Sequence, residues 1–273
     1  MASNSDGSGE YRGIYCNVDG LTQPKLNEIS DISRRDPNLL FIYVAEAKHQ
    51  QGMSSLDFDI PGFNCTEALR ESSQTGGLIL WTREQSGKAI LPWSGLDKTP
   101  SWINSERVWV LINDKTSRLA CCGVYLRVES PKSSDFYISN QQLLEHIEME
   151  KADLESKGYA ITLLGDFNAR IEPGSNFAFN DYPHDPNNNG RLLVDFATRN
   201  QLYCLNPMKW KGVQEEAYTY HRVMGTQLHR SIIDYGLATQ SSIMRTSSFS
   251  VEVHSCLILS KLPTNSFAYL SIN

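Results

Sequence analysis

The sequence predicts an α/β protein in which two β-sheets pack against each other and helices lie outside them. Three observations carry that prediction. Most of the chain divides into short strands that arrive in pairs, helical periodicity is confined to three stretches, and neither half runs as a serial βαβ chain. A Rossmann sheet or a TIM barrel would show that serial alternation. At 273 residues the chain suits one large domain, able to bury about three quarters of its unfolded surface without a disulfide or metal staple.

Residues 1–10, rich in Ser, Asn, Asp and Gly, have neither a basic n-region nor an apolar h-region and are expected to form a flexible tail rather than a secretory signal. Tyr11 to Val18 is strand-like and runs into the turn-forming cluster Asn17-Val18-Asp19-Gly20. After Pro24, Leu26, Ile29 and Ile32 recur at threefold spacing, which predicts a helix to about Arg35. Leu39 to Ala45 is a continuous apolar run, as a strand buried on both faces would be. Leu56 to Asn64 is irregular and Trp81 to Ser105 loop-rich, while Gly77–Trp81, Arg107–Ile112 and Leu119–Tyr125 are further strands. Gly76-Gly77 lacks the Lys-Ser/Thr of a phosphate loop and suits a tight turn into a strand.

Tyr137 to about Ser156 is the clearest helix, with Ile138, Leu143, Leu144, Ile147 and Leu154 on one side and Gly158 ending it. Tyr159–Leu164 is a strand that breaks at Gly165-Asp166-Phe167-Asn168. A polar loop spans Asn176–Asn188, and a helix follows over Gly190–Arg199 with Leu192, Leu193 and Phe196 inward. Strands at Tyr203–Leu205, Ala217–Tyr220, Ser231–Leu237, Ser247–Val253 and Cys256–Leu259 complete the chain, and 263–273 is expected to be a C-terminal tail. With no internal repeat or linker inside 11–262, that span is expected to be one domain.

The longest clean apolar run is seven residues, far short of the roughly 18 a membrane helix needs, so no membrane partner is expected. The six cysteines form no CxxC pair, which argues against zinc and for reduced, buried thiols in a nuclear or cytoplasmic protein. Cys121 and Cys122, adjacent in a strand, should face opposite sides. A net charge of −6 argues against bulk nucleic-acid binding but leaves room for a local basic groove.

The chemistry is concentrated at strand ends, where rigid scaffolds present functional groups. Asn17 and Asp19, Glu46, Asp166 and Asn168, Asp234 and His254 each stand at or just past an apolar strand. Hard oxygen donors such as Asp19 and Glu46 suit Mg²⁺ or Mn²⁺, which needs one or two carboxylates beside water and phosphate. A carboxylate beside an amide, as in Asp166 and Asn168, can deprotonate and hold a water, and a His with a carboxylate partner can stabilise charge on a phosphoryl oxygen.

In their order along the chain these residues resemble the endonuclease/exonuclease/phosphatase superfamily. Asn17-Val18-Asp19-Gly20-Leu21 is similar to the opening motif of its apurinic-endonuclease branch, and Ala45-Glu46-Ala47-Lys48 to the metal-binding Glu motif. Tyr125 stands at the active-site Tyr, Gly165-Asp166-Phe167-Asn168-Ala169 is the GDFNA motif, and Ser231-Ile232-Ile233-Asp234-Tyr235 the late IDY motif. Asn189–Phe196, Leu205-Asn206 and Tyr218-Thr219 resemble the endonucleases of LINE-type (non-LTR) retrotransposons.

The resemblance implies a DNase I-like four-layer α/β/β/α sandwich and a Mg²⁺-dependent endonuclease that nicks duplex DNA. Asp19 and Glu46 would bind the metal, Asn17 and Asn168 would position, Asp166 would activate water and Tyr125 would touch the phosphate. Asp234 would orient His254 and favour its charged form. Thr219 would contact DNA. Independently of the resemblance, Arg170, Arg191, Lys209, Lys211, Arg222 and Arg230 cluster in the second half of the chain and are expected to form a basic cleft rim that binds DNA, Arg191 and Arg230 among its contacts. Two departures stand out. Glu252-Val253-His254 replaces the family's Ser-Asp-His, removing an Asp that normally supports the metal site, and Arg127 stands where a Pro commonly follows the Tyr. Val253 gives weight to an alternative, a degenerate member that binds nucleic acid or protein without cutting. A further alternative is a phosphodiesterase acting on RNA or a small phosphorylated substrate.

Overall fold

The computed structural model describes residues 11–48, 58–69, 77–84, 89–97, 99–113, 118–128, 135–171, 186–208, 219–224, 227–254 and 265–272. The expected N-terminal tail, most of the polar loop at Asn176–Asn188, the strand at Cys256–Leu259, and Lys209 and Lys211 of the basic rim lie outside them.

Two six-stranded sheets form the centre. In chain order the strands are β1 (Tyr11–Asn17), β2 (Leu39–Ala45), β3 (Phe63–Ala68), β4 (Leu78–Arg83), β5 (Ala89–Trp93), β6 (Arg107–Asn113), β7 (Arg118–Tyr125), β8 (Ala160–Asp166), β9 (Tyr203–Cys204), β10 (Tyr220–Met224), β11 (Gln227–Ser231), β12 (Asp234–Ala238), β13 (Thr246–His254) and β14 (Asn265–Ile272). The first sheet has the order β13-β14-β1-β2-β4-β3 and the second β5-β6-β7-β8-β12-β9, with β10 and β11 a separate ribbon. The helices are α1 (Gln23–Arg35), the short α2 (Ser101–Asn104), α3 (Asp135–Ser156), α4 (Asn188–Arg199) and the short α5 (Gln240–Ile243).

Strand alternation divides the apolar residues into three cores, and three cores make four layers. Tyr15, Phe41, Tyr43, Leu80, Val110, Cys121, Leu164 and Leu270 fill the space between the sheets. Ile14, Cys16, Leu26, Ile29, Ile42, Val44 and Trp81 pack α1 on the outer face of the first sheet. Trp109, Cys122, Leu143, Leu144, Ile147, Ile161, Leu193 and Phe196 pack α3 and α4 on the outer face of the second. Cys121 and Cys122 therefore do face opposite sides, and the five described cysteines are free thiols. A buried ion pair, Arg107 to Glu150 at 2.5 Å, with Trp109 Nε1 donating to Glu150 at 2.7 Å, ties α3 to β6.

Four sequence expectations need correction. The C-terminal tail is β14, an interior strand paired with both β1 and β13, so the first and last described segments of the chain close one sheet. The stretch expected to be irregular to Asn64 gives way at Phe63 to an edge strand, β3, whose exposed Asn64, Cys65 and Glu67 break any apolar alternation. The loop-rich stretch after Trp81 contains β5, an edge strand that tolerates Pro92 because an edge need not donate on its outer side. Ile138 is exposed rather than inward, since the packed face of α3 begins farther along the helix. No helix among the described residues is long and apolar enough to cross a membrane.

Candidate active site

The topology brings the polar strand ends to one edge of the sandwich. β1 and β2 are parallel, with Asn17 opposite Ala45, so Asn17, Asp19 and Glu46 leave the first sheet together. β13 and β14 run antiparallel beside β1; Phe267 pairs with both Cys16 and Glu252, which puts His254, the partner of Asn265, at the same edge. In the second sheet β7 and β8 are parallel and end at Tyr125 and Asp166, which are register partners. β12 runs the other way and starts there, with Asp234 opposite Asp166.

Side-chain contacts join the two edges. Asn17 Nδ2 donates to Asp166 Oδ2 at 2.7 Å and approaches Glu46 Oε1 at 3.3 Å, while Asn17 Oδ1 accepts from Asp19 N at 3.0 Å. Tyr125 donates its hydroxyl to Glu46 Oε1 at 2.7 Å. The residue is buried, and its hydroxyl holds the Glu46 carboxylate. The ammonium of Lys48 contacts Asp19 and lies 3.8 Å from Glu46 Oε2. Lys25, from the first turn of α1, donates to the carbonyl of Gly20 at 3.1 Å and steadies the turn that carries Asp19.

The backbone is unusual at these residues. Asp19, Glu46, Lys48 and Asn168 all have positive φ, between 44° and 55°, and the remaining described non-glycine residue with positive φ is Gln201. Such conformations cost of order 1–3 kcal/mol each and persist where surrounding structure over-determines them, typically at functional sites. Here the over-determination is visible: Val18 N, Gly20 N and Leu21 N donate to the carbonyls of Ala45, Glu46 and Ala47.

Asp166 is buried, with both carboxylate oxygens engaged: Oδ2 by Asn17 and Oδ1 by the amide of Asn168 at 2.9 Å. Burial, followed by the neighbouring charge of Asp234, pushes its carboxyl well above the usual carboxylate range, against the opposing pull of those two hydrogen bonds. Asn168 donates its side chain to Leu126 O at 2.8 Å. The turn is clasped from α4. Asn187 donates to Asn168 O and accepts from Arg170 N and Gly190 N, each at 2.8 Å, and buried Asn189 donates to Arg127 O and Phe167 O. Gly190 is required there, because a Cβ would sit 1.9 Å from Arg170 O.

Thr219 is not a surface residue. It is 2 % exposed, and its hydroxyl accepts from Ile233 N and Asp234 N at 2.9 and 3.2 Å, so it sets the start of β12. Asn206 assists by donating to Asp234 O at 3.0 Å. Arg191 is exposed on α4 and donates to Asn188 at 3.0 Å. Arg230 stands on β11 opposite His221, in the ribbon that leads into Asp234. Lys48, Asn187 and Tyr15 are participants that the site assignment from sequence missed; for Lys48 the signal was available, since it lies two residues past Glu46.

Asp19 and Glu46 are a partly exposed pair of hard oxygen donors with one cation, Lys48, already lying against both. That donor set fits Mg²⁺ or Mn²⁺, which requires few protein ligands. No group of three or more His, Cys, Asp or Glu side chains suited to a metal occurs among the described residues.

No protein-family model and no curated protein matches the chain, whereas solved structures match over nearly its whole length. The endonuclease domain of TRAS1, a telomere-specific non-LTR retrotransposon, aligns with TM-score 0.62 and 12% identity, covering 95% of this chain and 98% of that one. The APE2 catalytic domain from Xenopus laevis aligns with TM-score 0.68 and 14% identity, covering 96% and 93%. This is the DNase I-like fold. A third DNase I-like structure, the 3′ phosphatase NExo from Neisseria bound to a product DNA hairpin, aligns with TM-score 0.69 and 14% identity, covering 96% and 99%. Within the DNase I-like sandwich of this chain, the strand ends carrying Asn17, Glu46, Tyr125, Asp166, Asp234 and His254 share one edge.

Proposed function

We propose that this chain is a divalent-metal-dependent endonuclease that hydrolyses a phosphodiester bond of duplex DNA, of the type found in LINE-like retrotransposons. The observation that carries this reading is the Asn17 bridge, which links the water-activating candidate Asp166 in one sheet to the metal-ligand candidate Glu46 in the other. The solved structures of like fold include a retrotransposon endonuclease and an enzyme bound to a DNA hairpin, which supports DNA as the substrate.

In this reading Asp19 and Glu46 hold Mg²⁺ or Mn²⁺, and the bound ion supplies Lewis-acid polarisation of the phosphoryl oxygen. Asp166 accepts a proton from the attacking water. Its upward-shifted carboxyl makes it a stronger base than an ordinary aspartate, and a base with a pKa nearer the working pH transfers protons more efficiently. Asn17 and the Asn168 amide each hold one oxygen of that carboxylate, which fixes its plane and narrows the directions from which it can take the proton. Tyr125 keeps Glu46 from rotating. His254, at the same sheet edge, is assigned to stabilise the developing phosphoryl charge, with Asp234 orienting it. Arg191 and Arg230 are assigned to the DNA backbone, where each phosphate contact adds salt dependence.

A second reading has one observation behind it. Val253 replaces the family's Asp, and a member that had lost cutting while keeping binding would tolerate that change. Incubating supercoiled plasmid with the protein and Mg²⁺ or Mn²⁺, with EDTA as control, separates the two. The nuclease reading expects nicked circles that disappear with EDTA and with Asp166→Asn. Retention of plasmid in a gel shift without nicking at any metal concentration would favour the binding reading.

A further inference from the structure

Strand β1 holds Asp166 at two points from the opposite sheet. Tyr15 and Asn17 are alternate residues and point to the same face, between the sheets. Asn17 donates to the Asp166 carboxylate at 2.7 Å, and the Tyr15 hydroxyl accepts from the Asp166 amide at 2.8 Å while donating to Val124 O at 3.0 Å. The hydroxyl thus sits at the last rung of the β7–β8 ladder, where Tyr125 and Asp166 are register partners. It is buried, so water cannot take its place without a rearrangement of the core.

We infer that Tyr15 is a positioning residue for Asp166, its hydroxyl fixing the strand end that carries the base against the strand that carries Asn17. This rests on the nuclease reading for its kinetic consequence, but the contact itself does not. Tyr15→Phe would leave the ring in the core and remove only the atom between Val124 O and Asp166 N, both buried polar groups. The end of β8 would then settle differently against Asn17. A displacement of about 1 Å in a reacting group can cost on the order of 100-fold in rate.

Tyr43 provides a matched control. It is the register partner of Tyr15 on β2, lies in the same inter-sheet core, and donates its hydroxyl to Cys121 O at 2.7 Å, three residues before Val124 on the same strand. Tyr15→Phe removes two buried inter-sheet hydrogen bonds and Tyr43→Phe one, and only the first change touches Asp166.

The experiment compares wild type, Tyr15→Phe and Tyr43→Phe in two measurements. In plasmid nicking, Tyr15→Phe should lower kcat by about 10- to 100-fold with KM for DNA unchanged, while Tyr43→Phe keeps the parent kcat. In metal-free protein, amide hydrogen exchange at Asp166 should accelerate at least tenfold in Tyr15→Phe and stay unchanged in Tyr43→Phe. Equal kcat values for the two variants, or a fall in kcat for Tyr15→Phe without faster Asp166 exchange, would overturn the assignment. Should wild type fail to nick, the nuclease reading falls and the exchange result alone decides whether Tyr15 holds Asp166.

Discussion

Asp166 and Asp234 are directly opposed across the β8–β12 ladder, and each is only 2 % exposed. Opposed residues in an antiparallel pair project to the same face, so two carboxyl groups share one small buried space. Like charges so placed disfavour joint ionisation, which is why Asp234 is the second cause, after burial, of the raised Asp166 carboxyl. The arrangement costs stability whenever Asp166 is ionised.

That relationship makes Asp166→Asn a test of function against stability. Nicking should fall by about 10²–10⁴, the usual cost of losing a general base. Stability should move the other way. The folded-state pKa lies above the ordinary value of 3.8, so the ionised form is disfavoured in the fold. The penalty is absent below the unfolded value and grows as pH rises through the folded one. Thermal melts from pH 4 to 8 should therefore show the variant gaining on wild type as pH increases, and wild-type nicking should fall on the acid side above the usual carboxylate range. A variant that cut at the parent rate, or lost stability relative to wild type with rising pH, would refute the assignment.

Thr219→Val separates a positioning hydroxyl from a DNA-contacting one. The two amides it serves, Ile233 N and Asp234 N, are left with a methyl group. Destabilisation of about 1–3 kcal/mol is expected for such buried donors, with Thr219→Ser restoring most of it. The salt slope of DNA binding should stay at the parent value. A reduced slope with unchanged stability would place Thr219 at the DNA interface.

Lys48→Gln addresses the metal pair. The ammonium now lies against Asp19 and near Glu46, so an incoming divalent ion meets a like charge. All three groups are partly exposed, which limits the effect to about 1 kcal/mol, or about a fivefold tighter Mg²⁺ affinity in the variant. Titration calorimetry on protein without DNA reads this directly. Unchanged or weaker Mg²⁺ binding would mean that Lys48 does not oppose the ion.

The strand-end pattern was legible because the relevant groups follow apolar runs immediately: Glu46 after Leu39–Ala45, Asp166 after Tyr159–Leu164. Their convergence at one edge came from motif order, and the structure supplies its cause in the parallel pairs β1–β2 and β7–β8. Other features carry little local signal. Tyr15 meets Asp166 across 151 positions of sequence, and nothing near it distinguishes a hydroxyl aimed at another sheet from an ordinary core tyrosine. Strand β14 does alternate, with Ala268 and Leu270 facing the inter-sheet core, but its partners β1 and β13 are remote, so it resembled a tail. The hydrogen bonds of Thr219 were not legible either, because a Thr before a strand gives no indication of whether its hydroxyl faces solvent or the backbone of Asp234.

The last prediction concerns Val253. Register places it opposite Ser266 on β14, one residue before His254, at the edge where β1 delivers Asn17 and β2 delivers Glu46. The resembled family has Asp at this position, where it supports the metal site, and Val offers no oxygen. Outer carboxylates that hold the waters or ligands of a metal typically contribute about 10–100-fold in affinity or activity. The wild-type protein is therefore expected to need high Mg²⁺ or to work better with Mn²⁺, and Val253→Asp should lower the metal midpoint and raise the nicking rate. The competing effect is the burden of a new carboxylate at an edge that already has Asp19, Glu46, Asp166 and Asp234, which would destabilise the metal-free protein. Melting temperature with and without Mg²⁺ distinguishes the two: a gain on adding the ion that is larger in Val253→Asp than in wild type means that the new carboxylate serves the metal. An unchanged midpoint with a lower melting temperature under both conditions would mean that position 253 adds only repulsion, and that Asp19 and Glu46 are the whole of the protein's contribution to the ion.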